Sequence, residues 1–377
     1  MKNIKLFLFT LFLFLVYGCS KWSTVYNFAP IQKYPKSISI NSIKLEELEL
    51  ESIISSYVGK LFINNENIGF VDQRFCWVFM FDKDGMFIER HLGQGHGPME
   101  IETGVIEGYA LLNDGSYFFI GRSTDGHIFD EQFQRKETFI INRNANKNVK
   151  GYEQPYFYTI CYENLIMKNY GDYLYYNLFL AHPKYNFLSA SDYHKKAHII
   201  SKLNLQTGVM EQVLGHYPEI YAKDKSLRQL SFVNFDMDSN GNFYVSYEAD
   251  SLIYTFDKDF SPLTTFGYRG SNMVDRRLIF NTIDEYNENY MQNRRERGMY
   301  NGLNYIDETG LLLRTYQKGS GTGGGLQIYK QSVLIGDVDV PDGFKIIGYI
   351  APYYYASCGI DEDNERIVLQ RFKLQEL

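Results

Sequence analysis

His194 and His198 stand four residues apart, a spacing that sets two imidazoles on one face of a helix or a strand. A zinc-protease helix places Glu beside the first histidine as general base, but Lys195 occupies that position, so a solvated pair is expected. The other histidines, His91, His96, His127, His182 and His216, are scattered, and only tertiary geometry could bring three of them together. Asp236, Asp238, Asn240 and Gly241 copy the first half of a calcium loop, in which alternating oxygens wrap the cation and glycine makes the bend. The twelfth position is Tyr247 in place of a bidentate Glu, so a turn is expected there; Asp337, Asp339 and Asp342 are a poorer match and read as a loop. Gly93, Gly95 and Gly97 could let backbone N–H groups approach an anion, yet Pro98 follows at once, where a dinucleotide site needs an opening helix. Lys318 to Gly325 reads KGSGTGGG without the Lys-Ser or Lys-Thr that closes a phosphate loop, and is expected to be a mobile surface loop. No Gly-x-Ser-x-Gly elbow occurs, so hydrolase chemistry has no support, and no catalytic, cofactor-binding or metal-ligating residue is assigned.

Cys19 carries the clearest chemistry. Lys2 and Lys5 precede the apolar run Leu6 to Val16, and Gly18 stands just before Cys19, which is the order of a secretory leader. The eleven residues of that run would span only about half of a ~30 Å hydrocarbon core. Removal of the leader is therefore expected. Val16-Tyr17-Gly18-Cys19 resembles a bacterial lipobox, in which the cysteine is joined to diacylglycerol and becomes the first residue; the alternative is an ordinary secretory leader with an incidental cysteine. Three cysteines remain, Cys76, Cys161 and Cys358, of which at most one pair can form. Cys76 reads as a buried core thiol, and the pairing of Cys161 with Cys358 stays open.

The elements that must position any site are strands. The chain of 377 residues is 45% hydrophobic and 22% charged, enough to bury a sizeable core, and its 32 Tyr and 28 Phe favour strands. A net charge of −7 supplies no basic field, so nucleic acid is excluded as a partner. Polar turn clusters followed by short apolar strands recur at Asn64–Asn67, Asn113–Gly115, Asn169–Asp172, Asp238–Gly241, Asp307–Gly310 and Asp361–Asn364. A second unit also repeats: Phe81-Asp82 leads to Gly93, Leu203-Asn204 to Gly215, and Phe256-Asp257 to Gly267, each a hairpin. Turn clusters 49 to 69 residues apart fit four-stranded blades with loops. The expected fold is all-β, a six-bladed β-propeller. Ser37 to Leu45 is expected to lend a strand to the last blade and close the ring. Met273 to Arg297 reads as an amphipathic helix inserted between the fourth and fifth blades, its Arg294, Arg295 and Arg297 forming a solvated face. The expected organisation is a leader over 1–18, a linker over 19–36 and the propeller over 37–377.

Phe81-Asp82-Lys83-Asp84-Gly85-Met86-Phe87, running into Gly93-Gln94-Gly95-His96-Gly97-Pro98-Met99-Glu100, resembles the hairpin and following segment of the TolB-like six-bladed β-propeller lipoproteins of Bacteroidota. Residues 145–200 and 270–345 depart from that pattern by insertion. The resemblance implies fold and address and brings no catalytic motif. It also implies the outer membrane with the propeller facing the periplasm, because Ser20 to Thr24 lacks the acidic run of surface-exported relatives; the cell surface is the alternative. The expected function is a non-enzymatic envelope lipoprotein, held to the membrane by its lipid, whose ring binds a protein or glycan. The alternative is a metal-dependent lyase or hydrolase with its site in the propeller channel. Tyr353 to Tyr355, Tyr173 to Tyr176 and the trio Tyr152, Tyr156 and Tyr158 are candidate ligand-facing aromatics, against the reading that they pack between blades.

Overall fold

One small turn recurs around the molecule. At Asp82, Asp130, Asp238 and Asp257 a carboxylate oxygen accepts the backbone N–H groups two and four residues ahead, at 2.7–3.0 Å, and so folds the chain back into a hairpin. The third residue after the Asp is left-handed each time. It is Gly85 and Gly241 in two turns, where positive φ carries no Cβ penalty. In the other two it is Phe133 and Phe260, at φ 56° and 60°, whose rings are buried beneath the hairpin. A bulky residue there stores roughly 1–3 kcal/mol of strain, and burying a phenyl ring returns about as much.

The computed structural model describes Phe28 and residues 36–374, apart from 103, 145–148, 188, 228 and 275–277. The leader, Cys19 and nearly all of the 19–36 linker lie outside the described residues. A short strand β1 (Glu46–Glu49) opens the chain of strands. The first blade is β2 (Gly59–Asn64), β3 (Asn67–Asp72), β4 (Trp77–Phe81) and β5 (Phe87–His91); the second is β6 (Ile106–Leu111), β7 (Tyr117–Gly121), β8 (Asp125–Phe129) and β9 (Arg135–Ile140). The third has five strands, β10 (Tyr158–Ile160), β11 (Met167–Tyr170), β12 (Tyr173–Leu180), β13 (Ile200–Asn204) and β14 (Val209–Leu214), with β10 and β11 both pairing β12. Two short helices, α1 (Tyr193–Lys196) and α2 (Glu219–Lys223), occupy the insertions around it. The fourth blade is β15 (Val233–Met237), β16 (Phe243–Tyr247), β17 (Ile253–Phe256) and β18 (Pro262–Phe266). After the helix α3 (Ile283–Arg297) come β19 (Met299–Ile306), β20 (Leu311–Gln317), β21 (Gly324–Lys330) and β22 (Val333–Val340) of the fifth. The sixth is β23 (Lys345–Ile350), β24 (Tyr353–Ser357) and β25 (Val368–Phe372), completed by β1 on its outer edge. The fold is a six-bladed β-propeller. Among the described residues no helix is long and apolar enough to cross a membrane.

Apolar side chains fill the seams between blades. Leu48, Phe70 and Phe81 meet Ile350, Tyr355 and Leu369 where the first blade abuts the last, so the ring is closed by packing as well as by the β1–β25 ladder. The closing strand is Glu46–Glu49, just beyond the segment expected to play that part. Ser37 to Ile40 instead runs along the outer edge of the fifth blade: Ser37 N and Ser39 N donate to Leu334 O and Ile335 O, and Ile40 pairs Gly336 in parallel. It still covers an edge, but a different one. Five of the six turn clusters join the first two strands of a blade; Asp361–Asn364 lies one hairpin later, between β24 and β25. The three repeated Phe-Asp or Leu-Asn hairpins are the outer hairpins of the first, third and fourth blades.

The inserted helix begins at Ile283, ten residues after the expected start. Thr282 caps it, its hydroxyl oxygen accepting from Glu285 N, while the Glu285 carboxylate accepts from Asn281 N just before the cap, and the two bonds fix the first turn. The basic run at its end is not a solvated face throughout: Arg295 is exposed, but Arg294 is 3% exposed and doubly bonded to Glu248. KGSGTGGG is no free surface loop either, since Gly324 already belongs to β21 and Lys318 is buried with its Nζ 2.6 Å from Asp339. Asp337 and Asp339 sit on β22, not in a loop.

Candidate binding channel

The innermost strand of every blade lines the ring axis. At the end where these strands begin, Gly59 to Leu61, Leu165, Asn234, Asn301 to Asn304 and Lys345 to Ile347 surround a cavity of about 680 Å³. At the other end, where the first hairpin turns lie, Asp236, Asp238, Asp307 and Asn113 border a second cavity of about 510 Å³. Lys60, Tyr109, Lys168 and Asn304 line both, so the two spaces join into one channel.

The channel is polar, and its charges are sorted. Lys168 pairs with buried Asp236, Nζ to Oδ1 2.6 Å, while the other Asp236 oxygen accepts Tyr305 N at 3.0 Å. Among the described residues, Lys60 and Lys345 have no carboxylate within 4 Å. Lys60 donates to Leu165 O at 3.3 Å. Burial pushes the Lys60 ammonium down to about 8, and the neighbouring Lys345 charge adds to the effect against weaker support from Glu107 and Cys161. Burial likewise lowers Lys345, although water reaches its side chain, because the group is ringed by channel wall. Glu163 and Glu362 lie on the wide mouth, Glu163 accepting the Tyr290 hydroxyl at 3.0 Å.

The residues singled out by spacing lie elsewhere or do other work. His194 and His198 are not solvated: both are buried, His194 among Tyr193, Tyr217 and Tyr221, and His198 with Nδ1 3.1 Å from Gly215 O and Nε2 3.1 Å from Glu153. The His216 ring lies 4.3 Å from that of His198. Asp238 is a turn residue, its oxygens taken by Asn240 N, Asn242 N and the Asn242 amide. Gly93 to Pro98 forms the connection from the first blade to the second, where Gly97 N donates to Glu100 and Arg135 donates to the carbonyls of Gly97 and Glu100. Cys76 is fully buried at the turn before β4, and Cys161 and Cys358 are free thiols, Cys358 on the wide mouth. Most of the tyrosine clusters pack between blades: Tyr152, Tyr158, Tyr175, Tyr176, Tyr354 and Tyr355 are buried, and Tyr156 is the exposed member at 57%. Among the described residues no three His, Cys, Asp or Glu side chains are placed to hold a metal ion.

Spacing arguments missed Lys60 and Lys345. Each is a lone lysine in an apolar context, Lys60 before Leu61 and Phe62, Lys345 before Ile346 and Ile347, with Lys168 after Met167 as a third. Aligning the channel-lining strand of each blade (β2, β6, β11, β15, β19 and β23) would have shown a lysine there in three blades of six.

A closed propeller with an open axial channel lined by amides, lysines and carboxylates is the class of molecule that fold and site define. No protein-family model and no curated protein matches the chain. Solved structures do: a member of the DUF4221 family from Bacteroides vulgatus, 12% identical, superposes with a TM-score of 0.66 over 89% of this chain and 99% of that one. A Bacteroides fragilis protein described as exported, 13% identical, superposes with a TM-score of 0.51 over 92% of this chain and 100% of that one. These likenesses concern the fold. Neither structure bears the TolB-like label that the hairpin motif suggested.

Proposed function

We propose that this protein is a non-enzymatic envelope lipoprotein, tethered to the outer membrane through Cys19 and facing the periplasm, whose propeller binds a protein or glycan partner. The observation that carries the binding part is the open axial channel, its wall built from all six blades and furnished with amides and ammonium groups. The anchor rests on the apolar run and Gly18-Cys19, and a fold neighbour described as exported agrees with it. An acidic body gains nothing from an anionic membrane surface, so the lipid alone holds it there. Metabolic labelling with a fatty-acid probe tests the anchor: the wild type labels and Cys19→Ser does not. Proteinase treatment of intact cells tests the side. The propeller survives with a periplasmic control under this reading, and its selective digestion would move it to the cell surface.

A further inference from the structure

We propose that the wide mouth of the channel is an anion site, in which Lys60 and Lys345 hold the carboxylate or sulfate of an acidic saccharide. This deepens the binding reading by naming the chemistry of the ligand, and it stands or falls separately from the membrane anchor.

The geometry has three parts. Lys60 on β2 and Lys345 on β23 belong to adjacent innermost strands, because ring closure sets the last blade against the first, and both line the same cavity. A third lysine there, Lys168, is already neutralised by Asp236. Among the described residues neither Lys60 nor Lys345 has such a partner: Lys60 reaches a single carbonyl, Leu165 O. Two like charges facing one cavity repel each other, and an anion between them relieves the repulsion.

Glu107, Cys161 and Lys345 act on Lys60; Glu248 acts on Lys345. Glu163 is engaged by Tyr290, and Glu362 is exposed at the lip. Glu248 is held by Arg294 at 2.6 Å and so does not serve the lysines. Burial lowers both ammonium groups, and the Lys345 charge adds to the effect on Lys60.

Amides supply the remaining recognition. The Thr315 hydroxyl donates to Asn301 Oδ1 at 2.8 Å, and among the described residues neither the Asn301 NH₂ group nor the Asn304 side chain, which lines the same space, has a hydrogen-bond partner. Such donors suit the hydroxyl and ring oxygens of a sugar beside its acidic group. A cavity of about 680 Å³ falls within the range of small-ligand sites and holds one to a few sugar units.

Isothermal titration of the full-length protein in detergent micelles, at low ionic strength, tests the assignment with digalacturonate, sulfated galactose, galactose and inorganic sulfate. The two acidic sugars are expected to bind, galactose at least tenfold more weakly, and Lys60→Gln or Lys345→Gln to weaken acidic-sugar binding at least tenfold each. Inorganic sulfate competing equally well, and lost in the same variants, would keep the anion site and assign it to a free anion. No binding of any anion by the wild type would overturn the proposal, as would undiminished binding by the double glutamine variant with an unchanged circular dichroism spectrum. A partner captured by the double variant as well as by the wild type would leave the scaffold reading intact while this one fails.

Discussion

The Arg294–Glu248 pair ties the inserted helix to the fourth blade, and breaking it from one side is expected to be among the most damaging single changes in the molecule. The two side chains are 4% and 2% exposed, and the guanidinium meets the carboxylate in a fork, Nε to Oε1 2.6 Å and Nη2 to Oε2 2.9 Å. Burial works against the Arg294 charge, but Glu248 outweighs it and holds the guanidinium more firmly protonated than usual. Arg294 also lies over Tyr290 at 3.7 Å and Phe232 at 4.8 Å, so its stem and plane are packed as well as paired. In Arg294→Met the carboxylate stays buried with the Phe232 N–H, at 3.0 Å, as its remaining strong donor. Removing one partner of a buried pair costs about 3–5 kcal/mol, whereas exchanging both for neutral groups of similar shape costs little. Arg294→Met and Glu248→Gln should therefore each lower stability by about 3–5 kcal/mol, and the double variant by about 1–2 kcal/mol. Guanidinium chloride unfolding followed by circular dichroism gives the four corners of the cycle. Hydrogen exchange on Ile283–Arg297 then tells global loss from release of the helix alone. Single variants within about 1 kcal/mol of wild type, or a double variant equal to the sum of the singles, would refute the reasoning.

Deleting Glu46–Glu49 should uncover β25 and remove the Arg366–Glu49 fork, with bonds of 2.7 and 2.6 Å. Light scattering should then show dimers or larger species, while deletion of Ser37 to Leu45 leaves β25 paired but bares the outer edge of β22, so it should promote association through the fifth blade and spare the β1–β25 ladder; a monomeric Glu46–Glu49 deletion of unchanged stability would deny β1 its closing role. Burial first, and then the His198 charge, push the His216 imidazole down to about 4. Below about pH 6.5 the unfolded chain takes up a proton that the folded chain refuses. Stability should therefore fall as pH drops from about 6.5 toward 4, by about 1–2 kcal/mol after allowing for the partly exposed ring. The fall should be shallower in His216→Gln, and identical pH slopes for variant and wild type would contradict this.

What could be read from the sequence is what is local. The turns announce themselves because Asp82, Asp238 and Asp257 bond amides only two and four residues ahead, so each motif carries its own geometry. Blade count follows from their repetition. The closing strand was misplaced by a few residues because Glu-Glu-Leu-Glu has one inward apolar side chain, Leu48, and almost no alternation of its own; β25, near the other end of the chain, chooses it. Arg294 looked like surface because a basic run at a helix end already suits the helix dipole, and nothing nearby in sequence reveals Glu248. His194 and His198 looked solvated for the same reason: the rings that bury His194 include Tyr217 and Tyr221, on and before another helix.

The channel lysines are the limiting case. Lys60 opens the first blade and Lys345 the last, and no local pattern in either strand refers to the other. They meet because β1 and the apolar seam around Phe70, Phe81, Tyr355 and Leu369 bring the sixth blade beside the first. The site that best accounts for the channel chemistry is therefore a product of ring closure. A change that loosens the closure, such as loss of Glu46–Glu49, should weaken acidic-sugar binding even though it touches neither lysine. Titration of that deletion variant beside Lys60→Gln separates the two routes: the deletion should lose binding together with thermal stability, while Lys60→Gln should lose binding and keep or gain stability, since it removes a half-buried charge that has no ion-pair partner among the described residues. A deletion variant that bound acidic sugar as tightly as the wild type would show that the lysines are held together by something other than the closed ring.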